Sequence, residues 1–124
     1  MLEGSLIEEI IQLSADMEKS IEDQEEYGRK LAEAERDYQV VLRKKALEEK
    51  ADGTPVTFIS QFIRGDEEIA EKRMQRDIAE ALYQAAKDRT VGIRLRIKIV
   101  DAQASREWSV AGPGDISDAP YQSQ

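Results

Sequence analysis

Proline is absent from two long stretches of the sequence, and this absence most constrains the fold. The three prolines are Pro55, Pro113 and Pro120, so residues 6–51 and 67–108 contain none. Proline inside a helix removes a backbone hydrogen bond and clashes with the preceding turn, so each stretch can form one uninterrupted helix. The sequence therefore predicts two long helices joined by a short connection.

The first stretch has the apolar spacing of a single helix face. Apolar or tolerant residues recur there at alternating steps of three and four, as in a heptad repeat. Ser5 and Glu8 have the spacing of a capping box, and Gly53 occupies the place of a left-handed residue after the helix. We therefore predict a helix over about 6–51. Its stripe consists of Leu6, Ile10, Leu13, Met17, Ser20, Ile21, Tyr27, Leu31, Ala34, Tyr38 and Val41.

The connection and the second stretch predict two further helices. Thr54 is a suitable cap for a short helix over about 55–63, because Pro55 then takes the first helical position. Asp66 is the expected cap of the third helix, over about 67–108. The apolar stripe of this third helix consists of Met74, Ile78, Ala81, Ala85, Leu95, Ile99 and Ala102.

Residues 91–99 form the one segment whose pattern argues for a strand, because apolar and polar residues alternate strictly there. The only β-rich partner, residues 56–59, is too short for a stable two-stranded unit. We therefore interpret the segment as helix, with apolar residues on two roughly opposite faces. The first face contains Val91, Leu95 and Ile99, and the second contains Ile93, Ile97 and Val100.

These elements predict an all-α fold in which the two long helices form an antiparallel, coiled-coil-like hairpin. A single domain is expected over residues 1–108. The predicted register places Gly28 near the level of Gly92 and sets the acidic residues 16–26 against a basic part of the third helix. Residues 109–124 combine Gly, Pro and polar residues without periodicity, so we predict a disordered tail.

The supply of apolar side chains exceeds what one hairpin can bury. Hydrophobic residues make up 40% of the chain, whereas a hairpin of two helices offers a single seam. The surplus predicts assembly into a helical bundle. We expect Ile93, Ile97 and Val100 to lie at a contact with a second copy of the chain, and a different protein is the alternative occupant.

Negative charge is concentrated at the start of the chain. The net charge is -8, with 26 Asp and Glu against 18 Lys and Arg. Glu22, Asp23, Glu25 and Glu26 can form a carboxylate surface that mimics nucleic-acid phosphates and binds the basic groove of a nuclease or polymerase. The competing interpretation is a solvated helix face that the basic part of the third helix partly neutralises.

A basic segment in the third helix offers a second hypothesis. Arg89, Arg94, Arg96 and Lys98 can contact a phosphate backbone, as in an accessory DNA-binding oligomer. Their neighbours are aliphatic, so there is no aromatic platform for bases. The negative net charge also makes nucleic acid the less favoured partner.

The composition excludes many kinds of chemistry. The chain has no Cys and no His, which removes disulfides, thiol nucleophiles, thiolate metal sites and the usual proton shuttle. Glu pairs on one helix face lack the histidine of bundle metal sites, and there is no Gly-rich phosphate loop. We therefore predict that the protein is not an enzyme and binds no cofactor or metal.

The sequence gives no sign of export or of membrane insertion. The N-terminus fits neither a signal peptide nor a transit peptide. No apolar run approaches the roughly 20 residues that a membrane span needs. We expect a cytoplasmic protein with no membrane partner.

Four segments, residues 53–59, 63–66, 73–83 and 106–109, resemble small, largely uncharacterised helical proteins encoded by phages and prophages of Gram-positive bacteria. The resemblance covers about residues 25–109. It implies a setting in the host cell among early genes for replication, recombination or host takeover. Together with the acidic first helix and the apolar surplus, it suggests an interaction protein that binds, and inhibits, a host or phage nucleic-acid-processing protein. A structural or assembly protein is a further alternative.

Overall fold

The chain is a helical hairpin with a short helix at its turn. The computed structural model describes residues 2–111, which form α1 over Leu2–Ala51, α2 over Val56–Gly65 and α3 over Glu67–Ala111. The two long helices pack against each other, and no strand occurs within the described range. The predicted all-α hairpin is therefore confirmed, and residues 91–99 are helix.

The outer ends of the long helices differ from the prediction. α1 begins at Leu2, so Ser5 is inside the helix and does not cap its start. α3 continues to Ala111, so residues 109–111 of the predicted tail are helical. The rest of that tail, residues 112–124, lies outside the described residues.

The end of α1 is closed by a glycine, as predicted. Gly53 has a positive φ of 83°, a conformation that is costly for residues with a Cβ. The Thr54 N–H donates to the Glu49 carbonyl at 3.0 Å, and the Gly53 N–H donates to the Lys50 carbonyl at 3.1 Å. This pair of bonds is a Schellman motif, which satisfies the last carbonyl groups of α1.

The two later helices are capped differently from each other. Pro55, and not Thr54, takes the N-cap position of α2, where no side chain caps the helix. The prediction for Thr54 is wrong because its hydroxyl hydrogen-bonds the Glu49 carboxylate at 2.6 Å. At the start of α3, the Ile69 N–H donates to Asp66 Oδ2 at 3.0 Å, so the predicted Asp66 cap is confirmed.

The fold divides into two compact units. The terminal unit contains α1 up to Ile21 and α3 from Asp88 onward, and the central unit is Glu22–Lys87. In the terminal unit, Leu6, Leu13 and Val100 form a small buried core. In the same unit, further from the chain ends than this core, Ser20 and Thr90 are almost fully buried. Their hydroxyl oxygens lie 2.6 Å apart in a hydrogen bond.

In the central unit, α1 and α3 are joined by the packing of a tyrosine ring on a glycine and by contacts of a charged arginine. A Cβ at Gly28 would lie 3.2 Å from Tyr83 Cε1, so the tyrosine ring packs directly on the glycine backbone. Arg76 lies over the Tyr38 ring at 4.6 Å from its centre, and its Nε is 3.7 Å from the Glu35 carboxylate. Gly28 therefore faces Tyr83 and not Gly92, so the predicted register was wrong by about two helical turns.

Candidate interaction surfaces

In the terminal unit, the apolar face of α3 that was predicted to lie outside the hairpin packs against α1 instead. Val100 is 2% exposed and lies in the core with Leu6 and Leu13. Ile93 and Ile97 are partly buried and pack against the same core. The predicted oligomer-contact residues Ile93, Ile97 and Val100 thus pack against α1 of the same chain, and their role in a contact with a second copy stays a prediction.

The face of α3 that was predicted to meet α1 is exposed instead. In the terminal unit it presents Val91, Leu95 and Ile99, which are 49%, 54% and 64% exposed. These three residues follow one another at intervals of four, so their side chains share one side of the helix, and we call them the outer stripe. Gly92 lies beside it, and no atom comes within 4 Å of where its Cβ would be.

The α1 stripe was predicted more accurately than that of α3. Leu6, Leu13 and Ser20 are buried, as a seam position requires. Ile10 and Ile21 are exposed, so two members of the predicted stripe lie outside the contact. Exposed isoleucines in this part of α1 also include Ile7 and Ile11. Each helix of the terminal unit thus has apolar residues that its partner helix does not cover.

The predicted carboxylate surface is largely open to solvent. Glu22, Glu25 and Glu26 are exposed, whereas Asp23 is only partly exposed. Glu26 is paired with Lys30, whose Nζ lies 3.3 Å from its Oε1 within α1. Three of the four predicted residues therefore present their carboxylates outward from one short part of the helix.

The predicted basic segment is also exposed, although Arg89 and Arg96 have interaction partners. Arg89, Arg94, Arg96 and Lys98 are all exposed. The Arg96 guanidinium donates to Glu9 Oε1, with Nη2 at 2.7 Å, and thereby joins α3 to α1 within the terminal unit. The expected attraction between an acidic α1 and a basic α3 is thus present, but Glu9 lies earlier in α1 than the predicted residues 16–26.

A further apolar surface, which is not among the predicted sites, lies on α2. This helix is strongly amphipathic, yet none of its residues is buried. Val56, Phe58 and Phe62 are 78%, 57% and 40% exposed. Ile59 and Ile63 are only partly exposed. The pairing of Phe58 with Phe62 at a spacing of four, in a helix with a single charged residue, is the sequence signal that identifies this face.

Lys45, Asp66 and Glu68 form a cluster of ion pairs at the C-terminal end of α2, and we call this cluster the ionic bracket. Lys45 Nζ lies 3.2 Å from Glu68 Oε2 and 3.6 Å from Asp66 Oδ1, and these residues line an open cleft together with Phe62. The hydrogen bond with Glu68 raises the pKa of the Lys45 ammonium; burial opposes the rise, while the negative charges of Asp66, Glu68 and Glu48 add to it. The cleft has one apolar side and one charged side.

The described residues contain neither a metal site nor a membrane span. Within residues 2–111, no group of three or more acidic side chains is placed so that it could hold a metal ion. None of the described helices is both long and apolar enough to cross a membrane.

Comparison with known proteins gives no relative for this chain. No protein family matches it, and neither a curated protein nor a solved structure matches it. The resemblance to phage and prophage proteins of Gram-positive bacteria therefore stays a prediction.

Proposed function

We propose that the protein acts by binding another protein and not by catalysis, and that α2 is the contact element. The observation that carries this proposal is the uncovered aromatic face of α2. Phe58 and Phe62 lie one helical turn apart, and both are substantially exposed. Exposed aromatic side chains on a short amphipathic helix are typical of recognition in which the helix enters an apolar groove of its partner.

The charge of the central unit supports a particular class of partner. Glu22, Glu25 and Glu26 are exposed on α1, and Glu22 lies about one helical turn before the other two. Closely spaced negative charges on a helix attract the basic grooves in which nucleic acid is bound. The proposed partner is therefore a host or phage nucleic-acid-processing protein, and occupation of its groove would inhibit it.

Site-specific photocrosslinking tests the role of α2. A photoreactive phenylalanine analogue in place of Phe62 should crosslink one discrete partner in a lysate of a Gram-positive host, and the same analogue at exposed Val40 of α1 serves as the control. A nucleic-acid-processing enzyme recovered from Phe62 alone supports the proposal. Equal labelling from the two positions, or no discrete product from Phe62, contradicts it.

Two sets of substitutions separate the contributions of the aromatic and the acidic surfaces. F58S/F62S should abolish capture of the crosslinked partner, because it removes both apolar anchors. E22K/E25K should weaken capture and slow association, because the attraction to a basic groove is lost. Capture that survives both sets of substitutions would refute the aromatic face of α2 and the acidic residues of α1 as binding surfaces, and circular dichroism shows whether each variant is folded.

The accessory DNA-binding alternative has its own support in the exposed Arg94 and Lys98. DNA binding through such residues weakens steeply as salt rises, because counterions are released from the duplex. Fluorescence anisotropy with a labelled duplex at low and moderate salt decides between the two. Tight binding at low salt that is lost at moderate salt, and lost in R94E/K98E, favours the DNA-binding alternative. No binding at low salt removes it.

A further inference from the structure

We propose that the outer stripe of α3, Val91, Leu95 and Ile99, binds α1 of a second copy of the chain. The inner face of α3 is already occupied, since Val100 is buried with Leu6 and Leu13. The outer stripe is about half exposed along three successive turns. A helix that is apolar on two sides is stable when each side has a neighbour, and among the residues that the structure describes only one side is covered.

The charges beside the outer stripe specify what kind of helix can cover it. Arg94 and Lys98 are exposed and lie within one turn of Leu95 and Ile99. If two outer stripes met each other, these cations would be brought together, and like charges across an interface are strongly unfavourable. An acidic helix with apolar residues of its own is the complementary partner.

The beginning of α1 is such a helix. Ile7, Ile11 and Ile21 are exposed, and Ile7 and Ile21 are two heptads apart, which places them on one side of α1. Glu8 and Glu18 are exposed in the same part of the helix. A second copy therefore supplies both the apolar residues and the negative charge that the outer stripe requires.

A contact within the chain already pairs a basic residue of this part of α3 with an acidic residue of the start of α1. Arg96 of α3 and Glu9 of α1 form an ion pair, with 2.7 Å between Nη2 and Oε1. The same charge pattern between copies would bring Arg94 and Lys98 of one molecule close to Glu8 and Glu18 of another. The buried apolar core of the terminal unit is small, so added helices would enlarge it, as in bundles of four or more helices.

Charge-swap variants provide a direct test by light scattering at several protein concentrations. The wild-type protein is expected to form a dimer or a larger assembly. E8K/E18K places positive charge on α1, and R94E/K98E places negative charge on α3. Each variant alone should associate about tenfold or more weakly than the wild type, because α1 and α3 then carry like charges.

Mixing the two variants is the decisive step. In the mixture, α1 of each variant meets α3 of the other with opposite charge, so equimolar E8K/E18K and R94E/K98E should assemble where each alone is monomeric. R43E/K44E, which reverses two exposed charges in the central unit, is the matched control and should behave as the wild type does. Circular dichroism at a dilute concentration checks that all variants are helical.

Several outcomes would overturn the proposal. A wild-type protein that is monomeric at every concentration excludes self-association, and it leaves the proposed role of α2 untouched. Assembly that persists in E8K/E18K alone points to contact between two outer stripes. Assembly that is lost in each variant but is not restored in the mixture also contradicts pairing of α1 with α3.

Leu95 and Ile97 make a second, apolar test. L95S should weaken association and leave the monomer as helical as before, because Leu95 is 54% exposed in the single chain. I97S should instead lower the stability of the monomer, since Ile97 packs against the terminal core. If L95S associates as strongly as the wild type does, the outer stripe is not the contact.

Discussion

Gly28 and Gly92 are both inside long helices, but only Gly28 is opposed by another side chain. Replacing Gly92 by Ala should stabilise the dilute monomer by about 0.5–1 kcal/mol, because alanine is the better helix former and nothing lies within 4 Å of the new methyl group. At Gly28 the new methyl group would lie 3.2 Å from Tyr83 Cε1, so crowding should cancel or exceed this gain. Urea unfolding at low concentration compares the two variants. An equal gain at both positions would show that the Tyr83 ring moves aside without cost.

The hydrogen bond between Ser20 and Thr90 should behave as a coupled pair. Replacing one hydroxyl, as in S20A or T90V, is expected to cost about 0.5–1.5 kcal/mol, because the variant loses a buried hydrogen bond between the two helices. The double variant should cost less than the sum of the single variants, and the difference is the interaction energy. A double-mutant cycle from urea midpoints measures it. Strict additivity would mean that the two hydroxyls do not depend on each other.

Single residues at helix ends were predicted with mixed success. Asp66 and Gly53 take the predicted roles, because capping and a positive φ are set by local geometry. Ser5 and Thr54 do not, although their spacing is equally suitable. Ser5 fails because α1 starts earlier, and Thr54 fails because the Glu49 carboxylate attracts its hydroxyl. Local patterns identify groups that can cap a helix, but other partners decide whether they do so.

At the scale of elements, the apolar pattern predicted α1 better than α3. The inner face of α1 contains strongly apolar residues such as Leu6 and Leu13. The inner face of α3 also uses Tyr83 and Thr90, which fit Gly28 and Ser20 through shape and hydrogen bonding. Hydrophobicity alone cannot recognise such pairs, so it selected the more apolar but exposed side of α3. Positions 28 and 83 become recognisable as partners only when the register is known.

The ionic bracket between α1 and α3 in the central unit should weaken at alkaline pH. The Glu68 hydrogen bond and nearby negative charges raise the pKa of Lys45 in the folded chain. A group whose pKa is raised on folding adds stability that is complete below its ordinary pKa and is lost as the pH rises through the folded value. The stability difference between wild type and K45M should therefore be constant near neutral pH and shrink above about pH 10.

Thermal melts of both proteins between neutral and alkaline pH measure this difference. R43M is the matched control, because Arg43 is exposed in the same part of α1 and is not part of the bracket. A difference between wild type and K45M that stays unchanged through the alkaline range would show that the charge of Lys45 does not contribute to stability. In that case only the packing of its methylene groups would matter.

At the scale of the whole molecule, the division into two units predicts that stability is unevenly distributed. The terminal core consists of Leu6, Leu13 and Val100. L13A should create a cavity there, with a cost of about 2–5 kcal/mol for a buried leucine. Because the central unit has its own contacts, amide protection should fall in residues 2–21 and 88–111 first.

Hydrogen exchange with peptide-level resolution tests this expectation at a dilute, monomeric concentration. V40A, which truncates an exposed side chain of the central unit, is the control and should leave both units protected. If L13A lowers protection evenly throughout residues 2–111, the two units open together as one cooperative structure.

The Ser20–Thr90 pair also has a consequence for how the hairpin finds its register. Its two hydroxyls are 70 positions apart in sequence, so they meet only after the long helices have closed. A hairpin that closed one heptad out of step would set each hydroxyl against a different residue and lose this buried hydrogen bond. Such a misaligned form would reopen faster than the correct one. The pair is therefore expected to favour the register in which both hydroxyls are matched over one that is shifted by a heptad.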